Sequence, residues 1–337
     1  MASLFRLLAV GTTALAASLL LVAPSAAAEP DTAAAGRAAG YLVGQVADGD
    51  HLTSEFGDES ITADAVLALA AAGRSEDTAT IDALLGYLEG RTAQYATSPE
   101  SAAKLTLVAL ATGRDPRSFG GTDLVSAVSA GVQPDGSFGA FPGPYASGLG
   151  MIALAGSGEP VPATMTDWLV SKAAPEGGWG YDQGQPADAD STAMAILGLR
   201  ALPEPSETAA AAVEAAVAWA QATRQPDGSW AGFAPVNSTA LLGSALQAAG
   251  LDQPEAVAYL AGLQLPDGGL PTGVAGATTP DLLATTQATL LLAGDSYLSL
   301  AQGPQQAPAG NPNAVWWWVL VAVLAAGVGV MARVQKS

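Results

Sequence analysis

Two kinds of apolar stretch alternate along this chain. One kind is hydrophobic on nearly every face: "SITADAVLALAAAG" (60–73), "SPESAAKLTLVALATG" (98–113), "YASGLGMIALAG" (145–156), "DADSTAMAILGLRAL" (188–202), "VNSTALLGSALQAAG" (236–250) and "DLLATTQATLLLAG" (281–294). Segments of that kind read as helices buried on most sides. The stretches between them carry charge along one side, as in "SEDTATIDALLGYLEGR" and "SETAAAAVEAAVAWAQATR". Those read as amphipathic helices with one face in water.

Similar turns join the two kinds: "QPDGSF" at 133–138, "APEGGW" at 174–179, "QPDGSW" at 225–230 and "LPDGGL" at 265–270. Asp48-Gly49 begins the series, and a degenerate copy near Gly90-Arg91 fills the one double-length gap. Self-similarity at a near-fixed period marks a repeat architecture. Proline pre-sets φ, aspartate bonds the local backbone and glycine accepts positive φ, so each copy is a tight turn. The aromatic after it (Phe138, Trp179, Trp230) is placed to wedge between neighbouring helix pairs, and His51 holds that place in the first copy. Ser98 before Pro99, Asp190, Asn237 and Thr279 before Pro280 read as helix caps. Six hairpins with one buried row and one exposed row predict an all-α fold, an (α/α)6 toroid over 29–302. An open solenoid is the competing arrangement, but it leaves one face of the buried row wet.

The ends have a different pattern. Residues 1–28 combine Arg6, an apolar run and Ala26-Ala27-Ala28, the form of a secretory signal peptide. Residues 303–313, rich in Pro, Gly, Gln and Asn, read as a flexible stalk. Residues 314–332 are uncharged, begin at Trp316, Trp317 and Trp318, and are followed by Arg333 and Lys336 in a short tail, 333–337. That predicts a transmembrane helix with an interfacial aromatic belt and a cytoplasmic basic tail. The expected location is the cell membrane, single-pass, with the bulk of the chain extracellular.

Composition narrows the chemistry. The chain has no cysteine and one histidine, so no disulfide framework and no thiolate metal site. Thirty-one acidic residues against twelve basic ones argue against a nucleic-acid partner.

The repeats resemble the QW motif of the squalene–hopene cyclase and prenyltransferase superfamily, an aromatic–aliphatic pair followed by glutamine and Gly-x-Trp. Tyr259-Leu260 leads to Gln264, Gly268 and Leu270; Trp168-Leu169 leads to Gly177 and Trp179; Gln225, Gly228 and Trp230 keep the second half. The resemblance implies an α/α toroid. It also implies three chemistries to test. The prenyltransferase zinc set of Asp, Cys and His cannot be made without cysteine. The Cys-Gly-Glu-Gln of thioester domains is absent. Class II terpene cyclases protonate an alkene or epoxide with the middle aspartate of Asp-x-Asp-Asp. Here the match is Asp188-Ala189-Asp190-Ser191, with serine in the last acidic place.

Candidates for a catalytic acid are therefore Asp188 and Asp190, although Asp190 also reads as a helix cap equivalent to Asn237 in the next repeat. The long turn "GWGYDQGQPADAD" (178–190) is the expected ligand-binding region: Trp179, Tyr181, Asp182, Gln183, Asp188 and Asp190, with Asn237 beside it. No metal site and no cofactor is expected. With an incomplete acid motif and few aromatics outside repeat positions, the favoured reading is a non-catalytic, membrane-anchored toroid binding a ligand or a transporter subunit. "DADSTAMAILGL" is similar to inner helices of transcobalamin-type proteins, which makes a corrinoid (cobalamin) the candidate ligand. The alternatives are a cyclase- or prenyltransferase-like enzyme acting on isoprenoids and a glycan-acting (α/α)6 enzyme using paired carboxylates.

Overall fold

The computed structural model describes residues 30–304 apart from positions 56 and 183. Among the described residues there are thirteen α-helices, and β-pairing is limited to isolated bridges. Twelve helices pair into six hairpins. The first members are α1 (Thr32–Gly44), α3 (Thr78–Tyr95), α5 (Leu124–Ala130), α7 (Ala163–Ser171), α9 (Glu207–Thr223) and α11 (Pro254–Leu263). The second members are α2 (Asp58–Ala72), α4 (Pro99–Ala111), α6 (Pro144–Gly156), α8 (Ala189–Arg200), α10 (Pro235–Ala248) and α12 (Leu282–Ala293).

Burial separates the two rows as the hydrophobic pattern requires. In α2 every residue from Ile61 to Leu69 is buried, and in α10 every residue from Val236 to Leu246. In α9 only Ala209, Ala216 and Ala220 are buried, a single stripe. Each second helix packs on the next around a circle, and α12 packs on α2. The inner ring is closed.

The turn motif joins one hairpin to the next. In "QPDGSW" the Gln225 N–H donates to Ser229 O at 2.8 Å, and Asp227 Oδ1 accepts from the Ser229 N–H at 3.1 Å. Gly228 sits at φ +90°. A Cβ there would lie 2.5 Å from the Glu255 carbonyl oxygen, in the outer helix of the following hairpin. The last turn repeats this contact across the closure: a Cβ on Gly268 would lie 2.3 Å from Arg37 O in α1. Gln264 completes the seam, donating to Ala34 O at 2.9 Å and accepting from Arg37 Nε at 2.8 Å.

The residue that ends each turn is held from two sides. Trp230 is buried; its N–H donates to Thr239 Oγ1 at 3.0 Å and its indole Nε1–H to Ala220 O at 2.7 Å. Trp179 makes the same pair of bonds, to Thr192 Oγ1 and Leu169 O. Leu270 and Leu52 take their backbone bonds from Thr285 and Thr62. A threonine near the start of an inner helix thus recurs as the receptor for the wedge. The buried indoles lose no hydrogen bond on leaving water, so their apolar area is a net gain.

The ring is stopped at its lower end. Helix α13 (Tyr297–Leu300) follows α12, starts with a reciprocal Ser296–Ser299 cap, and packs against α2, α4, α6 and α8. Tyr297 and Leu300 are buried there.

Several expectations are corrected by the structure. Gly90-Arg91 is no turn; it lies inside α3, and the second hairpin turns at 96–98 under the Ser98 cap. The extra residue in the first turn moves the wedge from His51 to Leu52, and His51 instead stacks on Tyr87 of α3 at 4.6 Å. α8 is capped by Asp188, not Asp190, and α12 by Asp281, not Thr279; Asn237 lies within the first turn of α10. Asp-Ala-Asp offers two carboxylates where one cap is needed, and the residue with extended backbone, Asp188, takes the role. No described helix is long and apolar enough to cross a membrane. The expected single-pass location in the cell membrane finds no spanning helix among the described residues. The segments that suggested it, 1–28 and 314–332, lie outside the described residues, as do 305–313 of the expected stalk and the tail at 333–337.

The turn contact is testable with a matched pair of glycines. Gly228→Ala meets both a left-handed φ and a backbone carbonyl, and is expected to cost about 2–4 kcal/mol. Gly250→Ala meets a left-handed φ of +89° in open space and is expected to cost about 1 kcal/mol. Urea unfolding of the two variants checks the difference.

Candidate functional site

Because each hairpin runs from outer helix to inner helix, the N-terminal ends of the inner helices gather at one rim. There α6, α8 and α10 bound a cavity of about 790 Å³, within the range of ligand pockets. The helices α6 and α8 meet almost backbone to backbone: a Cβ on Gly198 would lie 2.7 Å from the Gly148 Cα. That approach fixes the cavity wall to which Asp190 belongs.

Three rim loops carry aromatic side chains over this cavity. Phe141, Tyr181 and Phe233 are 88%, 73% and 98% exposed, and Tyr145 at the start of α6 is 37% exposed. All four line the cavity, and they are the exposed aromatic residues among the described residues. Exposed apolar rings concentrated at one opening mark a binding site rather than scattered surface. Two carboxylates hold the loops. Glu100 Oε1 accepts from Ala140 N–H at 2.8 Å and from Phe141 N–H at 3.3 Å. Glu176 Oε1 accepts from Ala187 N–H at 3.1 Å, which lowers the Glu176 pKa.

Asp188 and Asp190 share the cavity floor but differ in state. Asp188 Oδ1 accepts the Ser191 N–H at 2.7 Å and caps α8. Asp190 is half-buried in the wall, and its Oδ1, shielded from solvent, has no hydrogen-bond partner within the protein. Burial pushes its pKa up; nearby Ser238 opposes this and the Asp188 charge adds to it. The Ser238 effect comes through its side-chain hydroxyl beside the carboxyl. A buried acceptor without a protein partner is open to a ligand or a water.

Deeper in the ring lies a charged pair. Lys104 Nζ donates to Asp64 Oδ2 at 2.9 Å and to Ser60 Oγ at 3.1 Å. Burial pulls the Lys104 pKa down most strongly, but Asp64 and the phenols of Tyr95 and Tyr145 outweigh it and leave the ammonium firmly protonated. Burial also pushes the Tyr145 phenol up to about 12, with Lys104 opposing and Asp64 and Asp190 reinforcing. Although its ring reaches the opening, Tyr145 thus has its hydroxyl in the interior field of Asp190 and the Lys104–Asp64 pair. Beside them Asn237 Nδ2 donates to Gln287 Oε1 at 2.9 Å.

The expected site residues separate accordingly. Tyr181, Asp182, Asp188 and Asp190 line the cavity together. Trp179 lies outside it, fully buried as a wedge, and Asn237 sits below the floor. Gln183 lies outside the described residues. Phe141, Tyr145, Phe233 and Ser238 are cavity residues that the repeat reading passed over. A signal for two of them was present: a second aromatic follows the wedge by three residues at Phe141 and Phe233, and by two at Tyr181. Among the described residues no group of histidine, aspartate and glutamate converges as a metal site.

No family model and no curated protein sequence matches the chain. Solved structures do. The type II terpene cyclase MstE from Scytonema superposes with a TM-score of 0.62 at 15% identity, covering 78% of this chain and 97% of that one. A variant of MstE in complex with its substrate, geranylgeranyl dihydroxybenzoate, superposes at 0.60 with 16% identity over 80% of this chain and 98% of that one. A protein from Actinoplanes superposes at 0.55 with 19% identity over 80% of this chain and 99% of that one. The chain has a terpenoid cyclase-like helical fold.

This corrects the favoured functional expectation. The reading as a non-catalytic corrinoid receptor of the transcobalamin type rested on an incomplete acid motif and on the lack of an aromatic-lined pocket. The structure contains such a pocket, and the solved structures it resembles include a type II terpene cyclase, one of them in complex with a geranylgeranyl substrate; the transcobalamin resemblance finds no support.

Asp190 ties this site to stability. Its folded pKa is raised, so the stability it contributes is full below the ordinary carboxylate range and is lost as pH rises through the raised value. Asp190→Asn removes that loss. The variant is expected to be more stable than the parent at pH 7–8, by about 1–3 kcal/mol, with the difference vanishing near pH 3. Urea titrations across that pH range measure it.

Proposed function

We propose that this chain is a cyclase of type II character, in which Asp190 protonates an isoprenoid chain held in the rim cavity. The observation that carries this reading is the Asp190 carboxyl: half-buried, raised in pKa, without a protein partner at Oδ1, and set in a cavity walled by Phe141, Tyr145, Tyr181 and Phe233. The resemblance of Asp188-Ala189-Asp190 to the acid motif and the fold shared with MstE support it.

The chemistry asked of these residues is redox-neutral. The raised pKa favours the protonated form of Asp190 that donation requires. Transfer to an alkene carbon forms one C–H bond and leaves a carbocation beside the new carboxylate. That pairing offsets the cost of ionising a buried acid. The π electrons of a neighbouring double bond close the ring through a new C–C bond. Loss of a proton from the final cation ends the reaction, and solvent at the open rim returns a proton to Asp190. The ring faces of Phe141, Tyr145, Tyr181 and Phe233 stabilise the passing cation, each by about 0.5–2 kcal/mol. Asp188 positions the acid by fixing the first turn of α8.

Incubation with C15 to C30 isoprenoids, followed by mass spectrometry of extracted products, tests the reading. Cyclic isomers of unchanged mass are expected. Asp190→Asn is expected to lower kcat by about 10²–10⁴-fold, whereas Asp188→Asn, which retains a capping side chain, is expected to keep most of the activity. Turnover unaffected by Asp190→Asn, or no turnover with any isoprenoid, would remove the proposal.

A further inference from the structure

The head group of the isoprenoid remains to be identified, and the rim carries an argument about it that rests on the cyclase reading. Among the described residues, no lysine, arginine or histidine lines the cavity, while Asp188 and Asp190 stand on its floor. The nearest interior cation, Lys104, is neutralised by Asp64 at 2.9 Å. An anionic head could also be held by backbone N–H groups, because three inner helices present their N-terminal ends here. Some of those donors are already taken. Asp188 takes one free amide of α8, at Ser191, and Glu100 takes the amides of Ala140 and Phe141. Helices α6 and α10 each begin with a proline at the first position, which has no N–H to give. A divalent cation bridging a diphosphate to the protein would need several acidic ligands converging on one point, and the described residues offer no such group.

We infer that the substrate bound at this rim is an isoprenoid with an uncharged head, and that the site discriminates against allylic diphosphates. The chain's own carboxylates already hold three of the amides a phosphate could use. A diphosphate brought to this rim meets like charge without a compensating basic side chain, and like-charge juxtaposition is a strong means of exclusion.

Two ligands of equal chain length test this: geranylgeraniol and geranylgeranyl diphosphate, each titrated against the purified full chain at low and high salt, with and without Mg²⁺, with turnover assayed in parallel. Binding of the alcohol about tenfold or more tighter than the diphosphate is expected, with the gap narrowing as salt screens the rim. Tyr181→Arg, a change at a largely exposed rim position, is expected to shift the ratio of the two affinities toward the diphosphate. Equal or tighter diphosphate binding, with or without Mg²⁺, overturns the inference. If that diphosphate is also cyclised in an Asp190-dependent way, the cyclase reading stands while the head-group inference falls. If the alcohol binds selectively but is never turned over, the head-group inference stands and the cyclase reading falls. Binding of neither ligand overturns both.

Discussion

The structure depends on one contact: a turn glycine pressed onto the backbone of the outer helix of the next hairpin. Gly136 meets Thr164, Gly177 meets Ala215, Gly228 meets Glu255 and Gly268 meets Arg37, each through a carbonyl oxygen closer than a Cβ could tolerate. Aspartate bonds the turn to itself, so its shape is set before it docks. Because the last copy docks on α1, closing the ring uses the same contact as extending it. The ring size follows from the number of hairpins that fit before α1 is reached. Where the contact is missing, at the first turn, the stack of His51 on Tyr87 and the Arg91–Glu59 pair join the hairpins instead.

That contact also determines where chemistry can occur. Every turn delivers the next inner helix to the same rim in the same orientation, so whatever follows the wedge residue is displayed there. In three successive repeats it is an aromatic side chain, and in one of them an extra acid. At the other rim α13 seals the ring. The space between is therefore a cup rather than a channel. Water cannot drain through it, and its inner wall holds the Lys104–Asp64 pair in a setting where losing one partner strands the other charge. The cup keeps its polar groups because they bond to each other across helices, as Asn237 does to Gln287.

The architecture was legible in the sequence because it rests on periodic signals: all-round apolar stretches, one-sided charged stretches, and a turn written nearly the same way four times. The failures were local. Gly90-Arg91 looks like a weak turn, but its neighbours continue the helical pattern of α3 and the chain simply stays helical. A cap is fixed by a bond three residues on, so Asp188 and Asp190 could not be told apart by residue type. The recurring threonines at 62, 192, 239 and 285 were visible as letters but not as receptors, since their partners lie 9 to 15 residues upstream. The aromatic count misled most. Rings are few in the chain as a whole, yet the repeat concentrates Phe141, Tyr145, Tyr181 and Phe233 on a single opening. Density at a site is a property of topology, and composition does not contain it.

The pair Asp188 and Asp190 shows how one short motif can serve structure and chemistry together. A carboxylate that caps a helix is committed to accepting a backbone N–H, which makes it a poor proton donor. A carboxyl meant to donate must be buried and left without such bonds, which makes it a poor cap. One residue cannot meet both demands, and the spacing Asp-Ala-Asp divides them: the first residue fixes the turn, and the second is carried on the fixed turn into the apolar wall. In the next repeat the helix begins at Pro235, no acid is needed for a cap, and the equivalent of Asp190 is Asn237, bonded and uncharged. The same backbone position is thus a neutral amide bonded to the next helix in one repeat and an ionisable acid in its neighbour. That asymmetry, imposed on an otherwise repeating ring, separates a site from a scaffold.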